Sequence, residues 1–258
     1  MKETWQNLVE STIANCLRNK LENYSPESKE MPFHYRLIGN DRMALFSFIH
    51  SLNTSFGTSI FEPVAKTLAL SQGRFLQAKT QHVIGDTIFE KNQAVITRIL
   101  DSLRSAESKP DKLNEIQLIR DSLSGKTHKI KATKVDLFLE DKNGNHWLFD
   151  IKSPKPNKGE FQGFKRSLLE WVAIAQLNGC AHDIHSCIAF PYNPYAPRPY
   201  DRWTMTGLFD LSQEVKVAEE FWDFLGGDGT YEKLLQCFAR VGDAMRDEID
   251  KYFKRFKT

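Results

Sequence analysis

Three residues of this chain have the types and spacing to do chemistry together: Asp136, Asp150 and Lys152. They lie in "KVDLFLEDKNGNHWLFDIKSPKP", residues 134–156, where two apolar runs flank Asn143-Gly144. Asn-Gly between alternating apolar residues is a strong hairpin signal. Charges inside runs rich in Leu, Phe, Ile and Trp therefore need a reason. A two-residue loop would pair Asp136 with Ile151 and separate Asp136 from Asp150 and Lys152 on opposite faces. A three-residue loop, with Gly144 left-handed in a bulge, pairs Asp141 with Asn145 and sets Asp136 opposite Asp150. Lys152 then follows two residues along on the same face. This register also gathers Val135, Leu137, Leu139, Trp147, Phe149 and Ile151 on one apolar face, so it is the preferred one. Two carboxylates with Cβ atoms ~5 Å apart across neighbouring strands repel unless something compensates. Mg2+ is the natural compensator, since it takes one or two carboxylates plus phosphate oxygens and waters. Lys152 would orient or deprotonate an attacking water, or stabilise charge developing at phosphorus. The competing reading is an amphipathic hairpin whose charges simply face solvent.

The elements that must position this trio follow from the periodicity. Residues 3–24 place Leu8, Ile13, Leu17 and Leu21 near helical spacing, and "SPES" breaks the run. Helices are also predicted over 41–56 and 58–71, the latter with Pro63 near its start. Another is predicted over 86–106, with Asp86 as N-cap, and a short one over 112–123. The hairpin is followed by a helix over 159–179 with Phe161, Phe164, Leu168, Val172 and Ala175 in one stripe. A strand is expected near 184–190, then a Pro/Tyr-rich loop, then helices over 214–225 and 231–256. The order is helices, then β-β-α-β, then helices, which predicts an α/β fold. One domain over 1–258 is expected, with residues 1–80 helical, residues 81–210 forming a catalytic α/β core and residues 211–258 helical again.

A net charge of +2 excludes a polycation acting through its global field. Nucleic acid would have to meet a local basic surface. Lys152, Lys155, Lys158, Lys165 and Arg166 supply one, with Glu160 the only acid among them. Lys165 and Arg166 fall away from the helical stripe and read as phosphate contacts or a solvated face. The loop "PYNPYAPRPYDRW" offers Arg198 and Arg202 for bidentate base contact. Cys180 and Cys187 bracket His182 and His185, but that spacing is too tight for the usual zinc pattern. A helix end at Gly179 followed by the strand "IHSCIAF" accounts for it better. No apolar run approaches the ~20 residues needed to span a bilayer, and no signal segment follows Lys2, so a cytoplasmic location without membrane contact is expected.

The Asp-x13-Asp-Ile-Lys segment resembles the active site of the PD-(D/E)xK nuclease superfamily, with Val135-Asp136 where Pro-Asp is usual. The resemblance implies a restriction-endonuclease-like core, a mixed β-sheet flanked by helices, with N- and C-terminal helical elaborations. It makes Asp136 and Asp150 the metal ligands and Lys152 the catalytic lysine. With "NPYAPRPYDRWT", residues 128–171 also resemble the TdeIII-type restriction endonucleases. That likeness implies a type II restriction endonuclease using Mg2+ on double-stranded DNA, at an interrupted GG…CC palindrome. It also implies a homodimer and a cognate methyltransferase encoded nearby. Superfamily members often supply a further acid from an N-terminal helix; Glu62, five residues after Gly57, is the preferred candidate and Glu90 its competitor. Two other functions fit the same core: a structure-selective repair or recombination nuclease, and a non-catalytic DNA-binding protein.

Overall fold

The computed structural model describes residues 4–25, 31–201 and 203–255. Four helices come first: α1 (Trp5–Asn23), α2 (Pro32–Ile38), α3 (Asn40–Phe56) and α4 (Glu62–Ser71), with a π-helical turn, Gly57–Phe61, leading into α4. Strand β1 (Phe75–Phe89) is followed by α5 (Glu90–Arg104) and α6 (Lys112–Asp121). The hairpin strands are β2 (Thr127–Asp141) and β3 (His146–Ile151), and α7 (Phe161–Leu177) carries the chain over to β4 (Ile184–Phe190). Next come the short helices α8 (Trp203–Thr206) and α9 (Leu211–Glu214), strand β5 (Val215–Val217) and α10 (Glu219–Gly226). Helices α11 (Thr230–Ala244) and α12 (Arg246–Lys254) end the described chain. Among the described residues no helix is long and apolar enough to cross a membrane.

The chain divides into two compact units. The first joins residues 1–68 to 229–258 and is helical. Its core holds Val9 and Ile13 of α1, Met43 and Phe48 of α3, and Leu234 and Val241 of α11. Helix α11 packs on α1 with Leu234, Cys237 and Val241 buried, while Leu235 is exposed. The long helix expected over 231–256 is interrupted at Met245, which divides it into α11 and α12.

The second unit, residues 69–228, holds a five-stranded mixed sheet in the order β1-β2-β3-β4-β5. The first three strands are antiparallel neighbours, while β3, β4 and β5 run parallel. Parallel neighbours need a crossover, and α7 supplies it between β3 and β4. Helix α7 packs on the sheet, with α5 and α6 outside it. It is therefore buried on more sides than the single stripe in its sequence suggests, with Leu168, Leu169, Trp171, Val172, Ala173 and Ile174 all in the interior. Gly85 lets β1 pass close to this helix, because a Cβ there would stand 2.6 Å from Ile174 Cγ2. Helix α10 covers Phe149 and Trp147 through Phe221 and Phe224, with ring centroids 4.6–5.7 Å apart. With helices on both faces, Phe138 and Leu148 are buried as well as Leu137, Leu139 and Phe149.

The α/β class, the hairpin, α6, α7 and β4 agree with the sequence expectation. Two strands depart from it. Residues 86–89, expected to open a helix capped by Asp86, instead end β1, and α5 begins only at Glu90. Register shifts at Phe75/Gln77, Val83/Gly85 and Gly85/Thr87 interrupt the alternation by which a strand is recognised. Residues 215–217, expected within a helix, form β5 at the sheet edge, where Val215 pairs with Ile188.

Candidate active site

The hairpin closes through the three-residue loop. The Asp141 N–H donates to Asn145 O at 3.0 Å, the Gly144 N–H donates to Asp141 O at 3.1 Å, and Gly144 has φ +81°. Asp141 Oδ1 also accepts from the Asn143 and Asn145 N–H groups, an Asx turn that holds the loop. Leu137 faces Phe149 and Phe138 faces Leu148, so one more step sets Asp136 opposite Asp150. This is the register expected from the turn residues and the apolar alternation.

Both oxygens of Asp136 are held. Oδ2 accepts from the Ile151 N–H at 2.8 Å, and Oδ1 accepts from the Gln81 side-chain amide at 3.2 Å. Gln81 stands where the β1–β2 pairing, Thr80 with Leu137 and His82 with Val135, brings β1 past Asp136. Its φ of +50° is one few non-glycine residues adopt. Gln81 was not among the residues expected at the site, because β1 itself was not expected; only the cross-strand register signals it.

Asp150 is buried, at 7% exposure, because β3 is a central strand. Lys152 places Nζ 2.7 Å from Asp150 Oδ1 and 5.1 Å from the Phe164 ring centre on α7. Burial pushes the Asp150 carboxyl up to about 7; Lys152 pulls it down and Asp136 pushes it up further. Burial by itself would lower the Lys152 ammonium, but Asp150 and Asp136 outweigh it and hold its pKa above the usual value. Two acids thus share one lysine, and one negative charge is left over in a largely desolvated place.

That donor set fits a hard divalent cation. Among the described residues no group of three or more His, Cys, Asp or Glu side chains could hold a metal, the Cys180–Cys187 stretch included. A cation at Asp136 and Asp150 would thus take two carboxylates and complete its shell with water and substrate oxygens, the habit of Mg2+.

The other predicted residues scatter. Lys155 is exposed, with Nζ 5.4 Å from the Tyr195 ring centre. Arg198 is exposed in a loop that Tyr200 ties to the segment following β3, its O–H donating to Pro154 O at 2.8 Å. Arg166 lies on α7 with Nη1 3.8 Å from Glu170. Arg202 and the side chain of Lys158 lie outside the described residues. Glu62 opens α4 in the first unit and is buried, whereas Glu90 opens α5 in the second and is exposed.

Lys165 is a correction. Expected on an exposed helix face near phosphate, it is fully buried. Its Nζ lies 2.5 Å from Glu115 on α6 and 2.6 Å from Glu214 on α9. Lys112 joins them, 2.9 Å from Glu214 and 2.8 Å from the Ser186 hydroxyl. Lys165 stands four residues after Phe161 and three before Leu168, so it lies beside the apolar stripe of α7 and not away from it, and there it meets acids instead of water.

The sequence comparisons agree with this geometry. The model of the family "Type II restriction endonuclease, HinfI" matches residues 1–242. The chain is similar to the type II restriction enzyme HgiEI of Herpetosiphon aurantiacus, 31% identical over 236 residues covering 89% of this chain and 83% of that one. It is also similar to HgiCII of the same organism, 29% identical over 225 residues, with 85% and 80% covered. MjaII of Methanocaldococcus jannaschii is 29% identical over 256 residues, with 87% and 67% covered. The family matched is the HinfI family, where the central segments by themselves resemble the TdeIII type. With paired carboxylates and a lysine at the end of a mixed sheet, and a family match over nearly its whole length, this chain belongs to the HinfI family of type II restriction endonucleases.

Proposed function

We propose that the protein is a Mg2+-dependent, site-specific endonuclease that hydrolyses phosphodiester bonds of double-stranded DNA at the Asp136–Asp150–Lys152 site. The observation that carries this reading is the opposition of Asp136 and Asp150 across β2 and β3 with Lys152 paired to Asp150. The relatives named as type II restriction enzymes support the same activity. A divalent cation held by Asp136 and Asp150 would supply positive charge to a phosphate and make nearby water more acidic. The chain's own residues do the rest. The Ile151 N–H and the Gln81 amide aim Asp136, so its remaining lone pairs are fixed before substrate arrives. Lys152 stays an ammonium beside Asp150 and neutralises charge on the phosphate as water attacks in line; its raised pKa suits a charge stabiliser better than a base. Lys155 and Arg198 lie just beyond the catalytic strand, the first as a phosphate contact and the second as a base reader.

The resemblance alone supplies the finer points: an interrupted GG…CC palindrome, a two-fold dimer to read it and a nearby methyltransferase; the cytoplasmic location rests on the composition of the chain. The resemblance also gives Glu62 a role in the reaction. Glu62→Gln beside Glu90→Gln decides between the two acids by which variant loses cleavage.

The test is digestion of a long unmethylated DNA by purified protein in Mg2+, run beside Lys152→Ala and an EDTA control. Discrete fragments that vanish in both controls are expected, and their mapped ends give the site. Nicking without discrete fragments would replace the reading with a structure-selective nuclease. Duplex binding without any cleavage would leave a DNA-binding protein.

A further inference from the structure

We infer that the outer half of β2 is a phosphate-binding track that carries duplex DNA away from the active site. The inference rests on the reading of duplex DNA as substrate. Strand β2 holds Asp136 near its middle, and Lys126, Lys129, Lys131 and Lys134 stand on and just before its first half, all exposed. No acid occurs between Asp121 and Asp136. Pairing is regular from Val83–Lys134 to Thr80–Leu137, so Lys134 shares the face of Asp136, one alternation away, at roughly 7 Å along the strand. Farther out, Gly85 pairs with Thr133 and Thr87 with Lys129, so two steps of β1 oppose four of β2. Lys131 sits in this bulge, a device that re-aims a side chain away from the regular ladder.

The four lysines span about 25 Å at ~3.3 Å per residue, roughly seven base pairs of duplex at 3.4 Å each. A phosphate at Asp136 would therefore have its neighbours within reach of Lys134 and then Lys131. Lys129 pairs with Asp86 at 3.2 Å, but the lysine side chain is 82% exposed, and such a pair yields readily to a stronger anion.

There is a competing account. The pairing of β2 with β3 stops at Leu137, which leaves residues 127–135 unpaired on that side. Lysines on such an edge also discourage aggregation. Edge protection needs charge of either sign, however, whereas this stretch carries only positive charge and runs straight into the catalytic carboxylate.

The experiment measures duplex binding by the full-length protein in Ca2+ across a salt series. Wild type is compared with Lys131→Ala/Lys134→Ala and with Lys131→Arg/Lys134→Arg, each on site-bearing and unrelated duplexes. Removing one phosphate-binding lysine should lower the slope of log K against log salt by about 0.9, so the alanine pair should lower it by about 2, equally on both DNAs. The arginine pair should keep the slope. If wild type binds and cuts while the alanine pair keeps the full slope, the track is wrong and the nuclease reading stands. Precipitation of the alanine pair with an unchanged slope would make the lysines edge protection. Wild type that binds no duplex at all would end both readings.

Discussion

The second unit contains two buried clusters of acids and lysines, and they are built to opposite ends. In one, Lys112 and Lys165 meet Glu115 and Glu214, two cations for two anions, with Ser186 and the Asp210 N–H as further partners. In the other, two carboxylates have one cation: Lys152 pairs with Asp150, and Asp136 is held by the Ile151 N–H and the Gln81 amide. The first is balanced. Burial pushes Glu214 up, but Lys112 and Lys165 outweigh it and hold its carboxyl below the usual range. Burial instead dominates at Glu115 and holds its carboxyl above the usual range, against the pull of Lys165. The second cluster is short of one positive charge, and burial with the facing Asp136 holds Asp150 near neutrality. A balanced buried network ties elements together, here α6, α7, α9 and β4; an unbalanced one is a place for a ligand to complete.

That contrast can be broken at several points. Asp136→Ala or Asp150→Ala should reduce cleavage by more than about a thousandfold while DNA binding in Ca2+ survives, read by single-turnover digestion beside a binding titration. Retained cleavage in either variant would remove that residue from the site. Lys165→Ala should instead destabilise the fold, by about 3–5 kcal/mol, because it strands the buried Glu115 carboxylate and leaves Glu214 with Lys112 as its cation. Urea unfolding measures this, and a loss under about 1 kcal/mol would mean that the balanced cluster holds little together.

The unbalanced cluster should show the reverse sign in metal-free protein. The pKa of Asp150 is raised from 3.8 to about 7 by folding, so its contribution is most favourable below pH ~4 and is lost as pH rises toward 7. Asp150→Asn cannot ionise. Its stability relative to wild type should therefore grow by about 4 kcal/mol between pH 4 and 8 in EDTA, and excess Mg2+ should shrink the gap. Parallel pH curves for the two proteins would contradict the desolvated Asp150. The smallest effect belongs to Gln81→Ala, which frees one oxygen of Asp136. Apparent Mg2+ affinity should fall about tenfold with unaltered DNA binding in Ca2+, and Gln81→Asn should not restore it. An unchanged Mg2+ dependence would make Gln81 a strand-bending residue only.

How far the site is legible follows from the range of the interactions that make it. The hairpin is local. Asn143-Gly144 and the apolar alternation select one register, and that register opposes Asp136 to Asp150 before any tertiary contact is known. Helix α7 and strand β4 are legible for the same reason, each being one uninterrupted period. Strand β1 is not, since bulges at Gly85 and the kink at Gln81 break the period of two, and Gln81 goes unseen with it. Lys165 shows the other limit. On a helical wheel it stands beside Phe161 and Leu168, four and three residues away, yet its charge by itself reads as solvent-facing. Its acids lie 50 and 49 residues away in sequence, and only the packing of α6 and α9 around α7 brings them to it.

The sequence by itself thus determined the grouping of Asp136, Asp150 and Lys152, because turn chemistry and a strand's alternation act over a few residues. That Lys165 is buried among Glu115 and Glu214 was decided by the tertiary structure alone. Desolvation and ion pairing depend on what distant segments bring to the same place.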